Sequence, residues 1–296
     1  MTTLKLRNTR RGTRLPITYS DLGDAVHGDS VELERKGFKG IELTVISTWA
    51  ADGATHARHL EDANFFLVHG NDQALRKINI KAKPPCNVGI GTDYIDYVFG
   101  ERREELSFAV SVWARGPTGP RFMVNAFVFK DLGSTFRGLD KRLYLWMVCG
   151  RFPKAFKLGL DHAKREARAH KYRGLCLTAS RLQLIPTYRR YGFDVTPNAC
   201  LPRRSRTTTR EYRDRVNHFM CTDEVDCSQL DRWSDNLLAF AAGKTTPTFP
   251  PGTNAEEKKA ISEAFYDNAA TRITGDPEVS FPPGDGIFMD LCLGAV

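Results

Sequence analysis

The chain has 296 residues, enough to bury a sizeable core and to form one large or two small domains. Apolar residues make up 41% and charged residues 26%, an ordinary balance for a soluble globular protein. No run approaches 18 consecutive apolar residues, which excludes a helical membrane span.

The 43 Lys and Arg against 35 Asp and Glu leave a formal charge of +8. Much of the excess sits in two blocks, Lys5 to Arg14 and Arg203 to Arg213. Each block reads either as a solvated tail or loop, or as an arm for nucleic acid. Met1 leads straight into basic residues with no apolar signal core. The seven cysteines are odd in number and irregularly spaced, which favours reduced thiols in a cytoplasmic setting. Cys221, Cys227 and His218 lie close in sequence, but no second ligand pair follows, so no metal site is expected.

Residues 1–38 mix polar, Gly and charged residues and predict an extension with at most a short strand or turn. Lys39 to Thr48 alternates Ile41, Leu43 and Val45 against Glu42 and Thr44, a strand pattern. Trp49 to Asp62 suits a helix or ordered loop, and the apolar run Asn64 to His69 predicts a second strand. Pro84-Pro85 and the glycines at 89, 91 and 100 mark a loop-rich stretch. Leu106 to Ala114 and Arg121 to Lys130 form the clearest hairpin, turned at Gly116 to Pro120.

Arg142 to Cys149 is apolar on both faces and free of Pro, as a central strand should be. Leu158 to Tyr172 is rich in Ala, Lys, Arg and Glu and predicts a helix, on which His162 and His170 read as surface residues. Leu175 to Thr178 reads as a buried strand. Pro186 inside a helix costs about 3 kcal/mol unless it lies in the first turn, so the next helix should begin near Leu184 or Ile185. Gly192 then closes it.

Beyond Phe193, Ser228 to Ala242 places Leu230, Trp233, Leu237 and Ala241 on one helical face. Asn254 followed by Glu257 predicts a capping box opening a helix to about Ala270, with Ile261, Ala264 and Phe265 inward. Gly286 to Leu293 reads as a last strand. The alternation of strands and helices predicts an α/β fold, a mixed central sheet flanked by helices. Its parts are a basic extension over 1–38, a core over 39–193, a helical insertion over 194–285, and a closing strand over 286–296.

Thr178-Ala179-Ser180 at the end of a strand, with Tyr188-Arg189-Arg190-Tyr191-Gly192-Phe193 closing the following helix, resembles the core of the GNAT superfamily of acyl-CoA-dependent N-acetyltransferases. The preceding hairpin, strand and helix stand in the same order as in that family. The resemblance implies acetyl-CoA as acyl donor and direct transfer to an amine, carried by a small molecule or a peptide, in a ternary complex. It makes Tyr188 the general acid for the leaving thiolate, since a phenol is protonated at neutral pH.

By the same resemblance, the backbone at Met147 or Val148 stabilises the thioester carbonyl oxygen, and Ser180 contacts the cofactor or caps a helix. The family's phosphate loop carries glycines where Lys154 and Phe156 stand here. Arg151, Lys154 and Lys157 supply charge in their place. A fold of this kind that has lost catalysis and binds nucleic acid through its arginine blocks is the alternative. No Ser/His/Asp order is visible, which disfavours a covalent mechanism.

Overall fold

The computed structural model describes residues 4–8, 27–33, 41–70, 90–116, 121–132, 141–150, 153–195, 217–221, 227–282, 284 and 286–293. The chain forms two compact units. The first takes Met1–Asp131 with Leu143–His170, and the second takes Leu132–Arg142 with Lys171–Val296.

In the first unit, β1 (Leu4–Asn8), β2 (His27–Leu33), β3 (Ile41–Trp49), β4 (Leu106–Arg115), β5 (Phe122–Asp131) and β6 (Arg142–Gly150) pair in sequence order, each antiparallel to the last. The extension therefore carries two strands instead of at most one short one. The 39–48 strand, the hairpin and the central strand form where their patterns predict.

Asn64 to His69 does not form a strand. It completes helix α1 (Ala54–His69), whose buried residues include His56, His59, Leu60, Ala63, Phe66 and Leu67. That spacing of three and four is helical, and it becomes visible only when the two histidines count as inward residues. The stretch after Gly91 is helical too: α2 (Thr92–Asp96) runs into a wider turn over Tyr97–Glu101 and a 3₁₀ turn over Arg103–Glu105.

Helix α3 (Pro153–Ala169) starts five residues earlier than its composition predicts. It lies on the sheet face opposite α1. Ile46, Ala109, Trp113, Ala126 and Val128 pack with α1 in one cluster. The alternate residues Ser47, Val112 and Phe127 meet α3. At Gly159 an added Cβ would fall 2.5 Å from the Phe127 ring and 2.9 Å from Val112, so this helix approaches the sheet closely only because a glycine stands there.

In the second unit, β7 (Gly174–Ala179) pairs antiparallel with β8 (Ile287–Cys292), so the C-terminal segment supplies a strand as predicted. Helix α4 (Ile185–Arg189) has Pro186 in its first turn, and Gly192 follows at φ +94°. Helices α5 (Leu230–Ala242) and α6 (Ala255–Thr274) pack on each other. Leu230, Trp233, Leu237 and Ala241 are buried, as their spacing predicts.

Asn254 accepts from the backbone of Glu256 and Glu257, and the Glu257 carboxylate accepts from Asn254 N–H, completing the capping box. The inward residues of α6 are Tyr266, Ala269 and Ile273 rather than the triplet around Ala264, because the contact lies toward the helix's C-terminal half.

Cys149, Cys221 and Cys292 are disulfide-bonded, which corrects the expectation of reduced thiols at these three positions, though not at Cys176, and removes the ground for a cytoplasmic assignment. Among the described residues no helix is long and apolar enough to cross a membrane.

Candidate active site

The hairpin and central strand bring the candidate residues of the first unit together. Down the β5–β6 ladder Phe127 pairs with Val148 and Val128 with Met147, but Phe129 pairs with Leu145. Trp146 is the extra residue of a β-bulge. Such a bulge removes a peptide unit from regular pairing and re-aims the side chains beside it. It also shifts the alternation, so that Trp146, Met147 and Cys149 all pack in the cluster facing α1. Met147 and Cys149 are buried there, whereas Trp146 and Val148 are half-buried.

Just beyond β6, the N-terminus of α3 offers backbone N–H groups that no intrahelical carbonyl can satisfy. A negative charge is stabilised at such an end. Pro153 at its start lacks an N–H and presets the helical φ. Phe156, bulky where the resemblance expects a small residue, turns back onto the sheet. Its ring centroid lies 5.2 Å from that of Phe127, and it covers Gly150, where a Cβ would come 3.3 Å from its ring and 2.8 Å from the Asn125 amide. The ring's bulk is taken up by a notch that Gly150 leaves open. Lys157 is exposed and donates to Asp161 over 2.6 Å, one helical turn on. Arg151 and the side chain of Lys154 lie outside the described residues.

On the α1 side of the bulge, aromatic rings and charges converge. Trp146 Nε1 donates to the Tyr94 hydroxyl over 2.9 Å. The Lys130 ammonium lies 3.9 Å from the Trp146 ring centroid and 5.6 Å from that of Tyr144. Arg102 stands 5.8 Å from the ring centroids of both Tyr97 and Trp146. Glu105 joins the two cations, with one carboxylate oxygen on Arg102 and the other 3.5 Å from Lys130 Nζ. The sequence gives little warning of this cluster, because its members come from four separate segments. Of the carboxylates flanking the strands, Glu105 is half-buried here, Asp131 is exposed, and Asp140 lies outside the described residues.

Deeper in the same unit a polar chain crosses the α1 interface. The Leu106 carbonyl can only accept, so His56 Nε2, at 2.8 Å, donates to it. In the neutral ring, His56 Nδ1 then accepts from the Thr48 hydroxyl at 2.8 Å. Thr48 has spent its hydrogen, so it accepts from His59 Nδ1, also at 2.8 Å. His59 Nε2 in turn accepts from the Ser111 hydroxyl at 2.6 Å, and Ser111 accepts from Trp113 Nε1 at 2.8 Å.

With both imidazoles neutral, every group of this chain is satisfied. Burial agrees: desolvation lowers His59 to about 3 and lowers His56 as well. On the other sheet face His162 is buried and pairs with Ser47 Oγ at 2.9 Å, so it is not the surface residue its charged helix suggests.

The second unit holds Tyr188 and Ser180. Tyr188 is half-buried on α4, its ring edge-on to Phe193 at 6.1 Å between centroids. Burial raises its phenol above the ordinary value, which keeps the proton on the oxygen. Among the described residues no group hydrogen-bonds its hydroxyl. Ser180 is exposed at the end of β7, and the next turn is capped from Arg181 without a side-chain bond, so Ser180 does not cap it.

No family profile and no curated protein matches the sequence. Among solved structures, the chain is similar to nourseothricin acetyltransferase at 20% identity and a TM-score of 0.22, over 29% of this chain and 49% of that one. It thus spans about half the length of that protein. It is also similar to a GNAT-family acetyltransferase from Listeria monocytogenes, at 15% identity and a TM-score of 0.32, over 52% of this chain and 89% of that one. A third is the PaiA N-acetyltransferase from Thermoplasma acidophilum in complex with coenzyme A, at 10% identity and a TM-score of 0.28, over 53% and 92%.

Proposed function

We propose that the chain is an N-acyltransferase that moves an acetyl group from acetyl-CoA to an amine by direct attack in a ternary complex. The observation that supports this best is the bulge that takes Trp146 out of the regular ladder, in mid-strand a few residues ahead of the α3 N-terminus. An extended amide-bearing arm can pair with a residue left out of the ladder in this way, and a pyrophosphate suits a helix N-terminus. Here the Met147 or Val148 N–H meets the carbonyl oxygen as charge develops on it. Arg151, Lys154 and Lys157 are the proposed cationic contacts of the phosphates, with Lys157 leaving Asp161 to reach them.

In the reaction, the amine nitrogen bonds to the thioester carbon and gives up a proton to solvent, the C–S bond breaks, and the thiolate takes a proton. Tyr188 is the proposed donor of that proton, because burial holds its phenol protonated and no hydrogen bond ties its hydroxyl among the described residues. Ser180, exposed at the strand end, is proposed as a further donor contact.

Calorimetric titration of acetyl-CoA into the full chain tests the reading directly. Saturable heat is expected, and none at millimolar donor would end it. Tyr188→Phe is expected to keep the binding heat and lower turnover by about 100-fold.

A further inference from the structure

We propose that Lys130 is itself an acceptor, and that the chain acetylates this lysine when supplied with acetyl-CoA. The inference rests on the acyltransfer reading above, and it concerns a residue of β5 that this reading does not use.

Lys130 pairs with Tyr144 across the β5–β6 ladder, two positions from the bulge. Its ammonium lies 3.9 Å from the ring centroid of Trp146, the bulged residue itself. Met147, whose N–H is proposed to hold the thioester oxygen, is the next residue along. With the thioester oxygen on that N–H, the amine would stand beside the carbonyl it attacks, and such fixing of a nucleophile is worth a large effective concentration.

The surroundings also suit the chemistry. Trp146 and Tyr144 offer ring faces that favour a cation at rest. Glu105 Oε2, 3.5 Å from Nζ, is the carboxylate placed to receive its proton. Glu105 has a second cation, Arg102, to balance its charge. Lys157 and Lys164 also face a carboxylate, Asp161, but from α3 rather than from the strand beside the bulge.

The transfer balances without any further reactant. Glu105 takes one proton from the ammonium, and the freed nitrogen bonds to the thioester carbon. The C–S bond breaks, the second proton of the attacking nitrogen passes to the thiolate, and coenzyme A leaves as the thiol. The product is a neutral amide that no longer pairs with Glu105 or with the Trp146 face. Modification would leave that carboxylate and that ring open to an external amine.

The test is peptide-resolved mass spectrometry of the full chain incubated with acetyl-CoA, following Lys130 beside Lys259, which is 76% exposed and serves as the measure of uncatalysed acetylation. Lys130 is expected to react at least about 100-fold faster than Lys259, the lower range for positioned acid–base chemistry. Glu105→Gln should remove most of that advantage. The binding heat of acetyl-CoA is measured on the same sample. If acetyl-CoA binds and Lys130 reacts no faster than Lys259, the inference is overturned while the donor reading stands. If acetyl-CoA does not bind, both fall together.

Discussion

Arg142 closes Nε and Nη2 on the two oxygens of Asp290, at 2.9 Å and 3.0 Å, with both side chains almost wholly buried. The pair joins residues 148 apart in sequence inside the second unit, and it packs against Gly174, where an added Cβ would come 3.1 Å from the guanidinium. Removing one partner strands a buried charge. Asp290→Ala should therefore cost about 3–5 kcal/mol in urea denaturation. The double replacement Arg142→Met with Asp290→Leu should recover most of the loss, since a well-packed apolar pair can match a buried ion pair.

The neutral chain through His56 and His59 ties stability to pH. His59 titrates at about 3 in the folded state against 6.5 when free, because burial penalises its charged form, and His56 is lowered in the same direction. Near His56, Asp52 raises and Arg103 lowers its affinity for the proton. Below pH 6.5 the unfolded chain takes up protons that the folded chain refuses. The contribution is thus full above pH 6.5 and is lost as pH falls toward 3. Urea midpoints measured from pH 7 to pH 4 should fall, and His59→Gln should flatten that slope while lowering the midpoint at pH 7.

Gly159 sets the spacing of α3 on the sheet. Alanine there would drive a methyl to 2.5 Å from Phe127. Overpacking of this kind costs about 1–3 kcal/mol, which thermal denaturation should record.

Cys149, Cys221 and Cys292 should resist alkylation in denaturant until a reductant is added. Reduction should lower the urea midpoint, since losing a native disulfide costs about 2–5 kcal/mol. Full labelling of all three before reduction would contradict the bonding described here.

Much of this architecture is readable from residues alone. The hairpin strands show themselves by alternation and a Gly-Pro turn, and the α6 start by Asn254 and Glu257. Pro186 and Gly192 bracket α4 from both sides. What stayed hidden depends on partners. The run Asn64 to His69 reads as a strand by itself, and only the inward turn of His56 and His59 restores a helical period. His162 sits among charges, so its burial against Ser47 has no local signal. The bulge at Trp146 is a property of pairing with Val128 and Phe129, and no property of Trp146 announces it. Lys130 and Glu105 likewise meet only because β5 and the turn before β4 come together at one end of the sheet.

Hydrogen–deuterium exchange of the full chain, with and without acetyl-CoA, reads the central claim residue by residue. The account predicts slower exchange at the amides around Met147 and Val148 and in the first turn of α3. Unchanged exchange at both places in the presence of saturating acetyl-CoA would contradict it.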